Sequence, residues 1–300
     1  MPFRVLLFYK FVLIEDHVDF ARAHLGVCRS LDMRGRIIIA PEGINGTASG
    51  TAYNARKYMD VLHSDARFAD MEFKADEAHE HAFKKLFVRA RSEIIGLGVP
   101  VDMARTGNSL TPTEFREALN DPESIILDGR NNYEHVLGRF RNAMMPDVEN
   151  FRDFPRWIEN NLLGFKNKRI VTYCTGGIRC EKLTAYLFCR GFSNVSQLAG
   201  GIVSYAKDPD VRGDLFDGRC YVFDERISTS VNSTPSQAVI TTCAHCGEPS
   251  DQYVNCANVI CNIQFFCCEE CEREMSRCCS RECIEAPLKR KKAGKLARVF

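Results

Sequence analysis

The chain has almost no net charge, +1 over 300 residues, because 40 lysines and arginines face 39 aspartates and glutamates. That balance excludes a surface of one sign, while leaving room for a local basic patch able to hold phosphate. Long hydrophobic runs are missing as well. No stretch approaches the ~20 apolar residues of a membrane helix, so no membrane span is expected. The first ten residues form a short apolar run broken by Lys10, without a small-residue cleavage site, and read as a strand rather than a signal peptide. Cysteine is nearly absent from the first 170 residues, where only Cys28 occurs. Also lacking are a dinucleotide-binding glycine fingerprint, a flavin motif and a facial triad of iron ligands. The histidines (His17, His24, His63, His79, His81, His135 and His245) are scattered. His79 and His81, in the stretch 76–81, read as part of a solvated loop.

What is present begins with cysteine in the second half. Of 15 cysteines, ten fall between Cys243 and Cys283. Without a signal sequence, reduced metal-binding thiols in a cytoplasmic protein are a better reading than disulfides.

The first hundred residues alternate as strand, helix, strand, strand, helix, strand. Val5–Phe11 reads as β and Asp16–Leu25 as a helix. Arg36–Ala40 is an apolar strand ending in the turn 41–46, with Thr47–Ser49 as the return of a hairpin. Tyr53–Leu62 is helical in period and Phe83–Arg91 reads as the last strand, giving a ferredoxin-like βαββαβ unit over residues 1–95. A glycine- and proline-bearing linker follows, from Gly96 to Asn108. Thr111, Pro112 and Glu114 supply the parts of a helix-opening capping box. Ser124–Asp128, Arg169–Tyr173 and Asn194–Leu198 read as strands, Glu181–Arg190 as a helix, and Gly200–Gly201 as the start of another. This α/β alternation over residues 111–213 predicts a central parallel sheet covered on both faces. Beyond it, Tyr221–Phe223 reads as a strand and Ser228–Ser236 as a polar link within a Cys-rich region, 214–288. Residues 289–300 read as a basic, disordered tail.

Strand Arg169–Tyr173 runs into Cys174, Thr175, Gly176, Gly177, Ile178, Arg179 and Cys180, and then into a helix. Successive N–H groups of such a loop and helix N-terminus converge on one spot and favour negative charge there. A cysteine at that spot has its thiolate stabilised and its pKa lowered from the free value of about 8.5. Gly176 and Gly177 let the loop curl, and Arg179 can close the ring on loop carbonyls or an anion. Cysteine phosphatases place five residues between Cys and Arg. Four stand between Cys174 and Arg179, a loop that fits a single persulfide sulfur better than a phosphate. Cys174 is therefore the candidate nucleophile. Cys180 has two readings, packing or resolution of a disulfide with Cys174.

The C-terminal cysteines pair as Cys243 with Cys246, Cys256 with Cys261, Cys268 with Cys271, and Cys279 with Cys283. Two C-x-x-C knuckles plus two further pairs at ligand spacing point to zinc, and eight thiolates would close two tetrahedral structural sites. Cys267 and Cys278 adjoin proposed ligands, so a register shifted by one stays open, and His245 is a substitute ligand. A segment this short needs such staples to fold.

The loop Cys174–Cys180 resembles the active loop of single-domain rhodaneses, as do Leu127–Glu134, Gly138–Phe140, Ala143, Pro146 and Leu198–Ile202. The resemblance implies a structural, supporting role for Asp128, and rhodaneses usually carry Ser or Thr where this chain has Cys180. The whole arrangement resembles the bacterial rhodanese-like tRNA uridine(34) hydroxylase family over residues 1 to about 285. Its markers are Ala40–Gly46, Cys174–Lys182, Phe223–Arg226 and the cysteine pairs. That resemblance implies conversion of the wobble uridine to 5-hydroxyuridine with molecular oxygen as co-substrate, an essential role for Cys174, and an electron donor that the sequence does not name. It also implies tRNA as partner, through its anticodon loop. The alternative is a sulfurtransferase carrying a persulfide on Cys174. Candidate RNA contacts are Lys84, Lys85, Arg89 and Arg91, with Arg34, Arg36 and the basic tail.

Overall fold

A computed structural model describes residues 2–285, so the basic tail 289–300 lies outside the described residues. The N-terminal part forms β1 (Phe3–Phe11), α1 (His17–Ser30), β2 (Arg34–Ala40), β3 (Gly43–Thr51), α2 (Ala52–His63), β4 (Phe73–Ala78) and β5 (Leu86–Ala90). Its sheet runs β4-β1-β3-β2-β5, with β5 parallel to β2 and the other pairs antiparallel. The first four strands are the ferredoxin-like unit, and β5 is an added edge. This corrects the sequence reading in one respect. The closing strand of the unit is Phe73–Ala78, not Phe83–Arg91, and only Leu86–Ala90 of the latter is strand. The stretch 76–81 is likewise not a plain solvated loop, since Asp76–Ala78 belong to β4. His81 is mostly covered, its ring accepting or donating at Ser49 and packing edge-on against Phe3.

Strand alternation gives this sheet two different faces. Leu6 and Phe8 of β1 point into a core with Ile37, Ile39, Ile44, Tyr58 and Phe68 under α1 and α2. Leu7 and Tyr9 of β1, and Lys74 and Asp76 of β4, point the other way, onto the second part of the chain.

That part contains β6 (Asn108–Leu110), α3 (Pro112–Asn120), β7 (Ser124–Asp128), α4 (Asn132–His135), β8 (Gly138–Phe140), α5 (Phe154–Asn161), β9 (Arg169–Tyr173), α6 (Ile178–Cys189), β10 (Val195–Leu198) and α7 (Gly201–Lys207). Its four-stranded sheet is parallel, in the order β6-β10-β9-β7. The capping box of α3 forms as the sequence indicates, Thr111 and Glu114 exchanging side-chain to backbone bonds. Helices cover both faces, and the apolar residues divide into two cores. One holds Phe115, Phe140, Tyr173 and Tyr205; the other holds Leu127, Phe154, Ile170 and Leu187.

The next element is β11 (Phe216–Tyr221), which pairs with β8 and with β12 (Ser228–Ser230). The strand expected at Tyr221–Phe223 thus lies earlier. The expected polar link 228–236 is partly strand, and it runs on through buried Val231, which packs in the same core as Phe216 and Cys220. The remainder is a hairpin of β13 (Tyr253–Asn255) and β14 (Gln264–Phe266) with α8 (Glu269–Glu274) and α9 (Arg281–Glu285), packed around cysteines.

Candidate active site and metal centres

Strand β9 ends at Tyr173 and hands the chain to Cys174, which is fully buried. The Gly177 N–H donates to the Cys174 Sγ at 3.1 Å, with Gly177 at φ 105°, a conformation that favours glycine. Burial opposes ionisation of Cys174. A hydrogen bond from the Cys180 thiol, the positive charge of Arg179 and the N–H groups of Cys180 and Gly177 outweigh it and hold the Cys174 pKa well below that of an ordinary thiol. Cys180 is shifted the opposite way, by burial and by the charge on Cys174. The pair therefore shares one thiolate, carried by Cys174.

Arg179 does not swing freely. Its guanidinium makes a two-pronged pair with buried Glu134 at 2.5 and 2.8 Å, and bonds Thr175 Oγ1 at 3.3 Å. Glu134 is the N3 residue of the capping box that opens α4, so one carboxylate fixes both the helix start and the arginine. Asp128, at the end of β7, pairs with fully buried Arg130 at 2.6 Å and accepts from Tyr173 OH at 2.6 Å. Arg130 continues to the Gly138 carbonyl. Burial favours a neutral Asp128, but Arg130 and Tyr173 overcome it and keep its pKa low. Asp128 thus braces the strand that carries the nucleophile and lies one layer beneath the loop.

The N-terminal sheet closes over this loop. A Cβ added at Gly176 would meet Leu7 at 2.9 Å, and one at Gly177 would meet Tyr9 OH at 2.9 Å. The two glycines therefore permit close approach as well as curvature. Tyr9 OH donates to Glu181 at 2.6 Å, and Lys74 Nζ donates to the Gly176 carbonyl at 3.1 Å. Burial, with the Cys174 charge adding to it, raises the Glu181 pKa, and burial lowers that of Lys74. Lys182 of α6, almost wholly buried, pairs with Glu42 at 2.8 Å and Glu93 at 2.6 Å. The marker stretches Ala40–Gly46 and Cys174–Lys182 thus meet across the contact between the two parts. Asp76 of β4 pairs with both Lys207 of α7 and Arg226, tying the sheet to the segment after β11. Tyr9, Lys74, Asp76, Glu134 and Glu181 were not singled out from sequence. Only their place in or near the marker stretches hinted at Glu42, Glu134, Glu181 and Arg226.

Beside the loop lies a cavity of about 440 Å³ bounded by all three regions, with Val5 and Leu7 above, Thr175 and Ile202 below, and Cys220 and Phe223 at the side.

The eight paired cysteines gather into two fours: Cys243, Cys246, Cys268 and Cys271 in one, and Cys256, Cys261, Cys279 and Cys283 in the other. The pairing is interleaved, the first and third pairs sharing one site and the second and fourth the other. Sulfurs approach at 3.7 Å for Cys246 and Cys268 and at 3.6 Å for Cys261 and Cys279. Four sulfurs held ~2.3 Å from one tetrahedral ion would stand ~3.8 Å apart, so both groups fit zinc. Cys267 and Cys278 are buried beside these groups but are members of neither.

Of the proposed RNA contacts, Lys84, Lys85, Arg89 and Arg91 are exposed on or beside β5. Lys84 pairs with Glu225 at 2.8 Å, and Arg89 lies over the ring of half-exposed Phe87. Lys84 and Lys85 share a shallow surface hollow with Arg29 and Arg34. None of these residues touches the Cys174 loop.

These features define a three-part chain built around a rhodanese-type cysteine loop. Family models agree part by part: a UPF0176 acylphosphatase-like domain over residues 3–94, a rhodanese-like domain over 111–208 and a rhodanese C-terminal region over 217–284. The tRNA uridine(34) hydroxylase of Bacillus cytotoxicus is 50% identical over 293 residues, covering 96% of this chain and 90% of its own. That of Streptococcus uberis is 51% identical over 290 residues, covering 93% and 88%. Among solved structures, a rhodanese-like domain protein from Staphylococcus aureus is 27% identical, covering 33% of this chain and 90% of its own, with a TM-score of 0.28. The chain belongs to the tRNA uridine(34) hydroxylase family. No helix among the described residues is long and apolar enough to cross a membrane.

Proposed function

We propose that this protein hydroxylates the wobble uridine of tRNA, position 34, to 5-hydroxyuridine in the cytoplasm, with molecular oxygen as co-substrate and Cys174 as the essential nucleophile. The observation that carries this reading is the match to hydroxylases at about half identity along nearly the whole chain, including the Cys174 loop. The geometry suits it. A thiolate adding to uracil carbon 6 would make carbon 5 nucleophilic, and Cys174 is held as a thiolate. A cavity of about 440 Å³ next to the loop is within the range of small-ligand sites and would admit a base splayed out of a single-stranded anticodon loop. Because Cys174 is fully buried, the base enters by a shift of the N-terminal sheet.

The labour divides along the units 1–95, 111–213 and 214–288. The first covers the loop and supplies phosphate contacts through Lys85, Arg89 and Arg91, with Lys84 held in part by Glu225. The second holds the nucleophile, with Thr175, Gly176, Gly177, Ile178, Arg179 and Cys180 as its loop and Asp128 as its brace. The third is stapled by about two structural zinc ions on its eight paired cysteines. The rival reading, sulfur transfer through a Cys174 persulfide, is favoured by the loop itself, whose N–H groups converge on one sulfur.

Nucleoside mass spectrometry of tRNA from a deletion strain tests the choice. Loss of 5-hydroxyuridine with thiolated nucleosides unchanged, restored by the wild-type gene and not by Cys174→Ser, is the expected result. Loss of a thiolated nucleoside instead would establish sulfur transfer.

A further inference from the structure

Cys180 is the one feature of the loop that departs from the usual rhodanese residue, Ser or Thr, and the hydroxylase reading leaves two electrons unassigned. Placing one oxygen atom of O2 on carbon 5 leaves the other to be reduced to water, which takes two electrons and two protons from a co-reductant. From the contact between the two buried thiols we propose that Cys174 and Cys180 are that co-reductant, closing to a disulfide in each turnover. The inference rests on the hydroxylase reading above.

The balance is complete. Uridine, O2 and two thiols give 5-hydroxyuridine, water and one disulfide. The carbon 5–hydrogen bond is replaced by carbon–oxygen, and the second oxygen leaves as water with the two thiol hydrogens. The thiol that takes the second oxygen passes through a sulfenic acid, and its neighbour displaces water from that sulfur to form the S–S bond. An external dithiol returns the pair to the reduced state.

Three observations carry this. Both sulfurs are fully buried and hydrogen-bonded to each other. Their backbones are linked through the loop, Cys180 N–H donating to the Gly177 carbonyl at 3.0 Å and Gly177 N–H donating to Cys174 Sγ. Closing the contact to a bond of about 2.05 Å falls on a loop whose middle is Gly176 and Gly177. Secondly, the pair is asymmetric in the sense that exchange needs: Cys174 carries the charge, while Arg179 and the Thr172 hydroxyl are placed to favour a thiolate on Cys180 once Cys174 is consumed. Thirdly, enclosure beneath Leu7 and Tyr9 keeps a sulfenic acid from outside thiols, so the partner within reach is Cys180.

The test is a single turnover. Fully reduced, zinc-replete, full-length protein is mixed with aerobic tRNA bearing unmodified U34 and no added reductant, then quenched with alkylating agent and mapped by peptide mass spectrometry. The expected result is up to one hydroxyuridine per chain, matched mole for mole by a Cys174–Cys180 disulfide, and further turnovers only when a dithiol is added. Cys180→Ser, which keeps a hydrogen-bond donor beside Cys174, should lose at least tenfold of that single-turnover yield while still binding tRNA and still alkylating at Cys174. Hydroxyuridine formed with both thiols intact, a disulfide from Cys174 to Cys220, or wild-type yield from Cys180→Ser would each overturn the inference alone. No hydroxyuridine even with excess dithiol and oxygen would overturn the hydroxylase reading and the inference with it.

Discussion

Around Cys174, a buried sulfur faces one arginine, two backbone N–H groups and one other thiol. Between Cys243 and Cys283, eight sulfurs gather in two fours with edges near 3.7 Å. The difference lies in what surrounds the sulfur. Near Cys174 the local positive charge belongs to the protein and is pinned by Glu134, so the thiolate exists before anything binds. In the C-terminal fours, sulfur faces sulfur, and four thiolates at that spacing repel until a cation joins them. The first place is built to react and the second to be held together.

The comparison breaks most sharply under exchange of single cysteines. Cys243→Ser should lower bound zinc from about two ions per chain to about one, because only the first four contains it. Apparent binding energies of structural zinc run to about 10 kcal/mol or more, so the region after residue 241 should also become protease-sensitive. Reactivity of Cys174 should persist. Cys174→Ser should leave zinc at about two and abolish modification. Zinc loss from the second variant, or an unreactive Cys174 in the first, would mean the two places are not independent.

Next in size is the brace beneath the loop. Asp128, Arg130 and Tyr173 form a buried charged network, and removing one partner strands the other. Asp128→Ala should cost about 3–5 kcal/mol of unfolding free energy, measurable by denaturant titration, whereas replacing an exposed pair such as Lys84 with Glu225 should cost under about 1 kcal/mol. Equal costs would mean the buried network does no more than a surface pair.

How much of this was readable beforehand depends on where each residue finds its partner. Strand β9, the capping box at Thr111 and the loop Cys174–Cys180 are local features, and their periodicity and spacing state them directly. Strand β4 was not legible. Lys74 and Asp76 make it look like a solvated stretch, because the groups that accept them, the Gly176 carbonyl, Lys207 and Arg226, are a hundred or more residues away. Tyr9 and Glu181 are hidden for the same reason. The cysteine spacing announced two metal sites, but the interleaving of the pairs comes from the hairpin β13–β14 and the turn into α8.

The electrostatic half of the comparison is sharpened by pH. Alkylation of Cys174 by iodoacetamide should rise with pH and reach its half-point below the free thiol value of about 8.5, since a lowered pKa leaves the thiolate populated at lower pH. Arg179→Met removes the positive charge and should move the half-point upward. Lys74→Ala, which releases the sheet from the Gly176 carbonyl, should raise the plateau rate severalfold without moving the half-point, because it changes access and leaves Arg179 in place. A half-point in wild type at or above the free value would show that burial wins over the cage.

The smallest expected effect separates chemistry from grip. Strand β5 lies three strand spacings, about 14 Å, from β1 in the sheet order, too far to influence the thiolate but within reach of a tRNA backbone whose anticodon loop enters the cavity. Removing one phosphate-binding cation should flatten the dependence of log affinity on log salt by roughly 0.7 to 0.9. Lys85→Ala, Arg89→Ala and Arg91→Ala should each show that change. Lys84→Ala should show less, because Glu225 already offsets its charge at 2.8 Å, and Glu225→Gln should strengthen binding by freeing it. The pH half-point of Cys174 alkylation should be identical in all five variants. Salt slopes equal to wild type in Lys85→Ala, Arg89→Ala and Arg91→Ala would mean that this edge is only a solvated strand, and would place the RNA surface on another face of the molecule.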